Sequence, residues 1–163
     1  YRLKEAEPIN LSEFTIPLGV VEKLNTGTDI TIVSYGSTLR LVERAAIELG
    51  SLEISCEVID VQTLIPFDKN KDILESVKKT NKLLIVDEDV PGGASSYILQ
   101  KVLQEQDAFK YLDSKPITLT SKSHRPAYGT DGDYFSKPSV DDIIETTYEL
   151  MNEYNPNKYP KIN

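Results

Sequence analysis

The chain has 163 residues, 39% of them hydrophobic and 27% charged, which suits one globular domain burying roughly 70% of the surface its unfolded form would expose. Eighteen Lys and Arg against 26 Asp and Glu give a net charge of −8, which argues against nucleic acid or an anionic membrane as partner and suits solubility or a basic protein partner. The single Cys56 excludes an internal disulfide and points to a reducing cytoplasm, while no apolar run approaches the ~20 residues that span a bilayer and no signal peptide opens the chain. The chain begins at Tyr1 and its only methionine is Met151, so the expectation is an excised domain of a longer protein.

Residues 1–28, punctuated by Pro8, Pro17, Gly19 and Gly27, read as a linker or arm with a short extended piece at Phe14-Thr15-Ile16. From Asp29 the pattern sharpens. Ile30 to Tyr35 is β-branched and short, a strand signal. Gly36-Ser37 turns the chain, Ser37 or Thr38 can cap a helix, and Leu39, Val42, Ala46 and Leu49 recur at helical spacing before Gly50 as a stop. The unit then repeats: a strand over Cys56–Val61, a loop from Gln62 to Phe67, and a helix capped by Asp68. That helix carries Ile73, Leu74 and Val77, with Lys78 and Lys79 where cations suit its C-terminal dipole.

Lys82–Asp87 is a third strand, apolar enough to be buried on both faces. Tyr97, Ile98, Val102 and Leu103 fit a third helix, Ile117–Thr120 a fourth strand, and Ser121–Lys137 a long loop rich in Gly and Pro. A last helix starts at Ser139, with Asp142 three positions on as a near capping box and Val140, Ile144, Thr147 and Met151 as its buried stripe. The tail from Asn155 is expected to fray or to pack as coil. Strands alternating with helices predict a three-layer α/β/α sandwich around a mostly parallel sheet, with the domain proper over residues 29–154 and a tail over 155–163.

Chemistry is sparser. In "DEDVPGGASS" the glycines between strand and helix have neither dinucleotide nor P-loop spacing, yet the N–H groups at Gly92, Gly93 and Ser95 are candidates to accept an anion. The plainer reading is a tight corner with Ser95 as helix cap. Asp87, Glu88 and Asp89 could hold a metal only with a partner acid after the first strand, where Ser34-Tyr35-Gly36 stands instead, so no metal is expected. His124, the only histidine, is a candidate for acid–base work, and with Lys122 and Arg125 it makes a small positive cluster suited to a phosphate. Cys56, on a buried strand, reads as an inert small hydrophobe. Asp142, Glu145, Glu149 and Glu153 line one face of the last helix, either as a solvated face or as a docking stripe for a basic partner.

Taken in order, "YRLKE", "FTIPLG", "GTDITIVSYGS", "CEVIDVQTLIPFD", "SVKKTNKLLIVDEDVPGGASS" and "PSVDDIIETTYELMN" resemble the C-terminal domain of the beta subunit of the decarboxylating component of 2-oxoacid dehydrogenases. The likeness runs from Tyr1 to about Asn152, and "DVPGGASS" is most similar to bacterial forms that fuse alpha and beta subunits in one chain. It implies a transketolase C-terminal fold with a five-stranded mixed sheet, so one strand beyond those above is expected, near Leu52–Ile54 or in the arm. It also implies a parent enzyme that uses thiamine diphosphate and Mg²⁺, held by other domains, to decarboxylate pyruvate or a branched-chain 2-oxoacid and acylate a lipoyl group. This domain would then be non-catalytic, serving subunit assembly and docking of the basic peripheral binding domain of the acyltransferase. Relatives often end near the position of Met151-Asn152, whereas this chain continues to Asn163. Two other readings stay open: a domain of another thiamine enzyme such as transketolase or a 2-oxoacid:ferredoxin oxidoreductase, and a free-standing anion-binding regulatory module.

Overall fold

The computed structural model describes residues 7, 9–10, 13–125, 128–129 and 131–161. The "YRLKE" segment and Pro126, Ala127 and Thr130 of the long loop lie outside that set. Strands β1 (Glu22–Asn25), β2 (Ile30–Ser34), β3 (Cys56–Asp60), β4 (Leu83–Val86) and β5 (Ile117–Leu119) form one sheet in the order β1-β3-β2-β4-β5. β1 runs antiparallel to β3, and the other neighbours are parallel. Helices α1 (Leu39–Ser51), α2 (Asp72–Thr80), α3 (Ala94–Gln100), α4 (Gly132–Ser136) and α5 (Val140–Tyr154) complete the α/β/α sandwich. No helix among the described residues is long and apolar enough to cross a membrane.

The three central strands are buried on both sides, and their period-2 alternation divides the core in two. Ile30, Ile32, Cys56, Val58, Leu84 and Val86 face Val42, Ala45 and Leu49 of α1 and Ile143, Leu150 and Met151 of α5. Val33, Ile59, Leu83 and Ile85 face Ile73 and Val77 of α2 and Ile98 of α3. Each Val, Leu, Ile or Met side chain among these contributes about 1.5–3 kcal/mol by leaving water. Thr31 and Glu57, on the α2 side, are polar: Thr31 Oγ1 lies 2.6 Å from Ser76 Oγ and 2.7 Å from Thr80 Oγ1, and Glu57 accepts from Lys79 Nζ, so the buried groups find partners within the fold.

The strand left open by the sequence is β1, in the arm, and neither Phe14–Ile16 nor Leu52–Ile54 forms a strand. Its approach to β3 depends on Gly27, because a Cβ there would lie 2.2 Å from the Cys56 carbonyl carbon and 2.4 Å from the Glu57 amide nitrogen. Several local signals resolve differently from expectation. Neither Ser37 nor Thr38 caps α1, which follows directly from a 3-10 turn over Gly36–Thr38. Gly50 does not stop that helix either; it runs to Ser51, and the reversal falls on Glu53 at φ 59.

Asp68 does cap α2, but from a distance. Lys71 turns at φ 59, which brings the Asp68 carboxylate to the amides of Asp72 (2.9 Å) and Ile73 (3.0 Å). α3 widens into a π-helical turn over Lys101–Glu105, which keeps Val102 buried. The long loop contains α4, whose five residues carry no helical apolar stripe. α5 has the expected capping box between Ser139 and Asp142, but its buried line is Ile143, Thr147, Leu150 and Met151, with Val140 and Ile144 at the margin. The tail packs instead of fraying. Tyr159 is buried, meets Tyr148 edge-on at 6.1 Å between ring centroids, and its carbonyl accepts from Asn152 Nδ2 at 2.5 Å.

Candidate functional site

Parallel strands deliver their loops to one end of the sheet, and the connection after β2 leads to β3 on one side while that after β4 leads to β5 on the other. Open α/β sheets place their ligand crevices outside such a switch point. Two stretches meet there: Tyr35-Gly36-Ser37-Thr38 after β2, and Asp87 to Ser96 after β4.

Asp87 is fully buried and organises the second stretch. Its Oδ1 accepts from the Tyr35 hydroxyl at 2.6 Å and the Asp89 amide at 3.0 Å, and its Oδ2 accepts from the Ser95 amide at 2.8 Å. Burial pushes this carboxyl upward, but the Tyr35 hydroxyl and the two amides outweigh it and hold Asp87 below the ordinary carboxylate value. The Tyr35 phenol is raised, first by its own burial and then by its bond to Asp87.

The backbone amides of Asp89 and Ser95 at this corner therefore serve an internal anion. Gly92 turns at φ +96, and a Cβ on Gly93 would meet Asp89 Oδ2 at 2.6 Å. The Gly93 amide donates to the Val90 carbonyl at 3.1 Å, and Ser95 engages through its amide while its hydroxyl is buried and unpartnered, so Ser95 is not the side-chain cap. The three acids diverge: Asp87 onto the corner, Asp89 back to the Val90 amide at 2.8 Å, and Glu88 across to Ser37 Oγ and Lys137 Nζ, both at 3.2 Å. Among the described residues no group of three or more His, Cys, Asp or Glu is placed to hold a metal ion. With the Gly93, Ser95 and Ser96 amides committed and Asp87 already seated there, the corner does not fit the diphosphate of thiamine diphosphate.

Beside it lies a crevice of about 930 Å³ between the start of α1 and the α4–α5 corner. Ser37, Thr38, Arg40 and Arg44 form one wall, and Tyr134 and Lys137 belong to the other. The sequence reading missed this wall. Its only linear trace is the spacing of Gly36, Arg40, Arg44 and Glu48 at four-residue steps along one helix face.

The remaining candidates lie apart. His124 is exposed, with Nδ1 2.8 Å from the Arg125 carbonyl oxygen. The positive cluster disperses onto aromatic rings, Lys122 over Phe135 and Arg125 over Tyr128. Cys56 is buried, and burial followed by the charge of Asp29 pushes its thiol up to about 12. On α5, Glu145, Glu149 and Glu153 are exposed, while Asp142 is half-buried in the capping box, where its Oδ2 accepts from the Ser139 amide at 2.8 Å. The exposed row thus begins at Asp141, which accepts from the Tyr134 hydroxyl at 2.8 Å.

The order β1-β3-β2-β4-β5 with one antiparallel edge defines a doubly wound α/β domain with its open crevice at the β2/β4 switch point. The family model "Transketolase, C-terminal domain" matches residues 19–137, and the chain belongs to that family. It is 33% identical over 136 residues to the pyruvate dehydrogenase E1 component subunit beta of Rhizobium meliloti, covering 83% of this chain and 29% of the relative. It is 39% identical over 137 residues to the subunit of the same name in Rickettsia felis, covering 83% and 41%. It is 40% identical over 100 residues to the mitochondrial 2-oxoisovalerate dehydrogenase subunit beta 2 of Arabidopsis thaliana, covering 60% and 27%. The chain thus spans less than half the length of these relatives. The fold is shared with a split gene transketolase, solved as an inactive beta4 tetramer, at a TM-score of 0.69 and 22% identity over 86% of this chain and 44% of that one.

Proposed function

We propose that this chain is the non-catalytic C-terminal domain of the decarboxylating component of a 2-oxoacid dehydrogenase acting in the cytoplasm on pyruvate or a branched-chain 2-oxoacid. The observation that carries this reading is 33–40% identity to beta subunits of the pyruvate and 2-oxoisovalerate dehydrogenases. The thiamine diphosphate and Mg²⁺ of the parent enzyme would be held by its other domains, where they supply the chemistry of decarboxylation. The work of this domain is mechanical: it presents helix surfaces to neighbouring domains and subunits.

For docking the acyltransferase, the supporting feature is the exposed row Asp141, Glu145, Glu149 and Glu153 on α5, aligned at four-residue steps. Such a row offers a basic module a line of carboxylates that steers its approach. Calorimetric titration of this chain with the peripheral binding domain of the acyltransferase encoded beside the parent enzyme tests the idea. Binding at low ionic strength should weaken steeply by 0.5 M salt and on changing Glu145, Glu149 and Glu153 to Gln. No heat of binding at low salt would sink the docking role.

A further inference from the structure

We propose that the crevice at the β2/β4 switch point binds a phosphate group, with the 3-10 turn Gly36–Thr38 that opens the helical run, the Ser37 hydroxyl and the Thr38 hydroxyl as its donors. This site does not rest on the docking role of α5. The helical run from Gly36 to Ser51 begins with no side-chain cap and no acidic residue in its first turn, so its positive end lacks the usual local compensation. Thr38 lines the crevice and is only 2% exposed, yet its hydroxyl has no hydrogen-bond partner among the described residues. A buried hydroxyl without a partner costs about 1–3 kcal/mol, and an oxyanion seated on the helix end would recover it. Gly36 turns at φ +60, and nothing lies within 4 Å of where its Cβ would be, so an anion can approach the backbone closely.

Glu88 is the resident anion. Its contacts to Ser37 and Lys137 are long, and its side chain is 43% exposed. The neighbouring Asp87 makes the contrast plain. It serves α3 from full burial with three donors at 2.6–3.0 Å and is fixed there. Glu88 serves α1 from the rim and is displaceable. A phosphate would take over its donors Ser37 and Lys137 and gain the Thr38 hydroxyl. The crevice wall also carries Glu48, Asp133 and Asp141 beside Arg40 and Arg44, and Asp133 lies 3.9 Å from the Lys137 ammonium. Leu41, Val140 and Tyr134 leave room for an apolar or aromatic body on the same molecule.

The test is ¹⁵N-resolved NMR titration of the 163-residue chain with inorganic pyrophosphate and, separately, with ADP, against sodium chloride of equal ionic strength. Saturable shifts at the amides of Gly36, Ser37 and Thr38, with Ser95 unmoved, are the expected result. Equal affinities would mark an inorganic anion as sufficient, and tighter binding of ADP would mark a phosphate ester whose body fills the crevice. Glu88→Gln should tighten binding of pyrophosphate about 3- to 10-fold by removing the competitor, and Thr38→Val should weaken it by a similar factor. Thr38→Val forfeits no internal hydrogen bond, so the variant should melt with the parent chain. Shifts reproduced by chloride, shifts centred on Ser95, or an unchanged affinity in Glu88→Gln would each overturn the assignment.

Discussion

Asn in place of Asp87 keeps the size of the side chain and removes its charge and one acceptor. Asp87 receives three donors, two on Oδ1 and one on Oδ2. With the amide oxygen at the Oδ1 position, Tyr35 and the Asp89 amide keep an acceptor, but both bonds lose their charge assistance, about 1 kcal/mol each. The amide nitrogen then faces the Ser95 N–H, donor against donor, which strands a buried group at about 1–3 kcal/mol. The sum is about 3–5 kcal/mol, a large part of the 5–15 kcal/mol typical of a folded domain. In urea, at a slope of about 2 kcal/mol per molar, the midpoint followed by far-UV circular dichroism should fall by about 1.5–2.5 M.

The pH dependence gives an independent check. The folded-state carboxyl lies below its ordinary value of 3.8, so the unfolded chain binds more protons in that range. The stabilisation by Asp87 is complete above the ordinary value, declines as pH falls through the depressed folded value, and is absent below it. The gap between the parent chain and Asp87→Asn should therefore narrow from pH 6 to pH 3. A midpoint shift under about 0.3 M, or a gap that widens on acidification, would refute the account of the corner.

Gly27→Ala places a methyl group against the β3 backbone, which cannot yield as a side chain can. About 3 kcal/mol of destabilisation is expected, a fall in melting temperature of about 6–12 °C by calorimetry. Tyr159→Ala removes the aromatic ring that anchors the tail, at about 3 kcal/mol. Truncation after Asn155 should cost the same within about 0.5 kcal/mol in urea melts, because Tyr159 is the one buried side chain among the tail's described residues.

The central strands and long helices were legible because their signal is local. Ile30–Val33 and Leu83–Val86 are apolar on both faces, and α1 and α2 carry apolar residues at helical steps. β1 was harder to place because its four residues, Glu-Lys-Leu-Asn, are all exposed, and its position comes from pairing with β3 and from the space left by Gly27. α4 is too short, and its aromatic residues too exposed, to show a period. At the Asp87 corner, residue type was readable but direction was not: three consecutive acids diverge to an amide cluster, a serine–lysine pair and their own turn. The crevice gathers residues from α1 and from the α4–α5 corner, nearly a hundred positions apart, which no linear pattern records.

The edges of the sheet bear on how a larger assembly can be built. A free strand edge is a template for another chain's backbone. β1 is four residues long, carries Glu22 and Lys23, and changes register between Lys23 and Asn25, all of which discourage a further strand. β5, at the opposite margin, is only three residues long. Recruitment by β-strand addition is blunted on both sides, so neighbours must meet this domain through its helices and loops, and its sheet is guarded against runaway edge-to-edge aggregation.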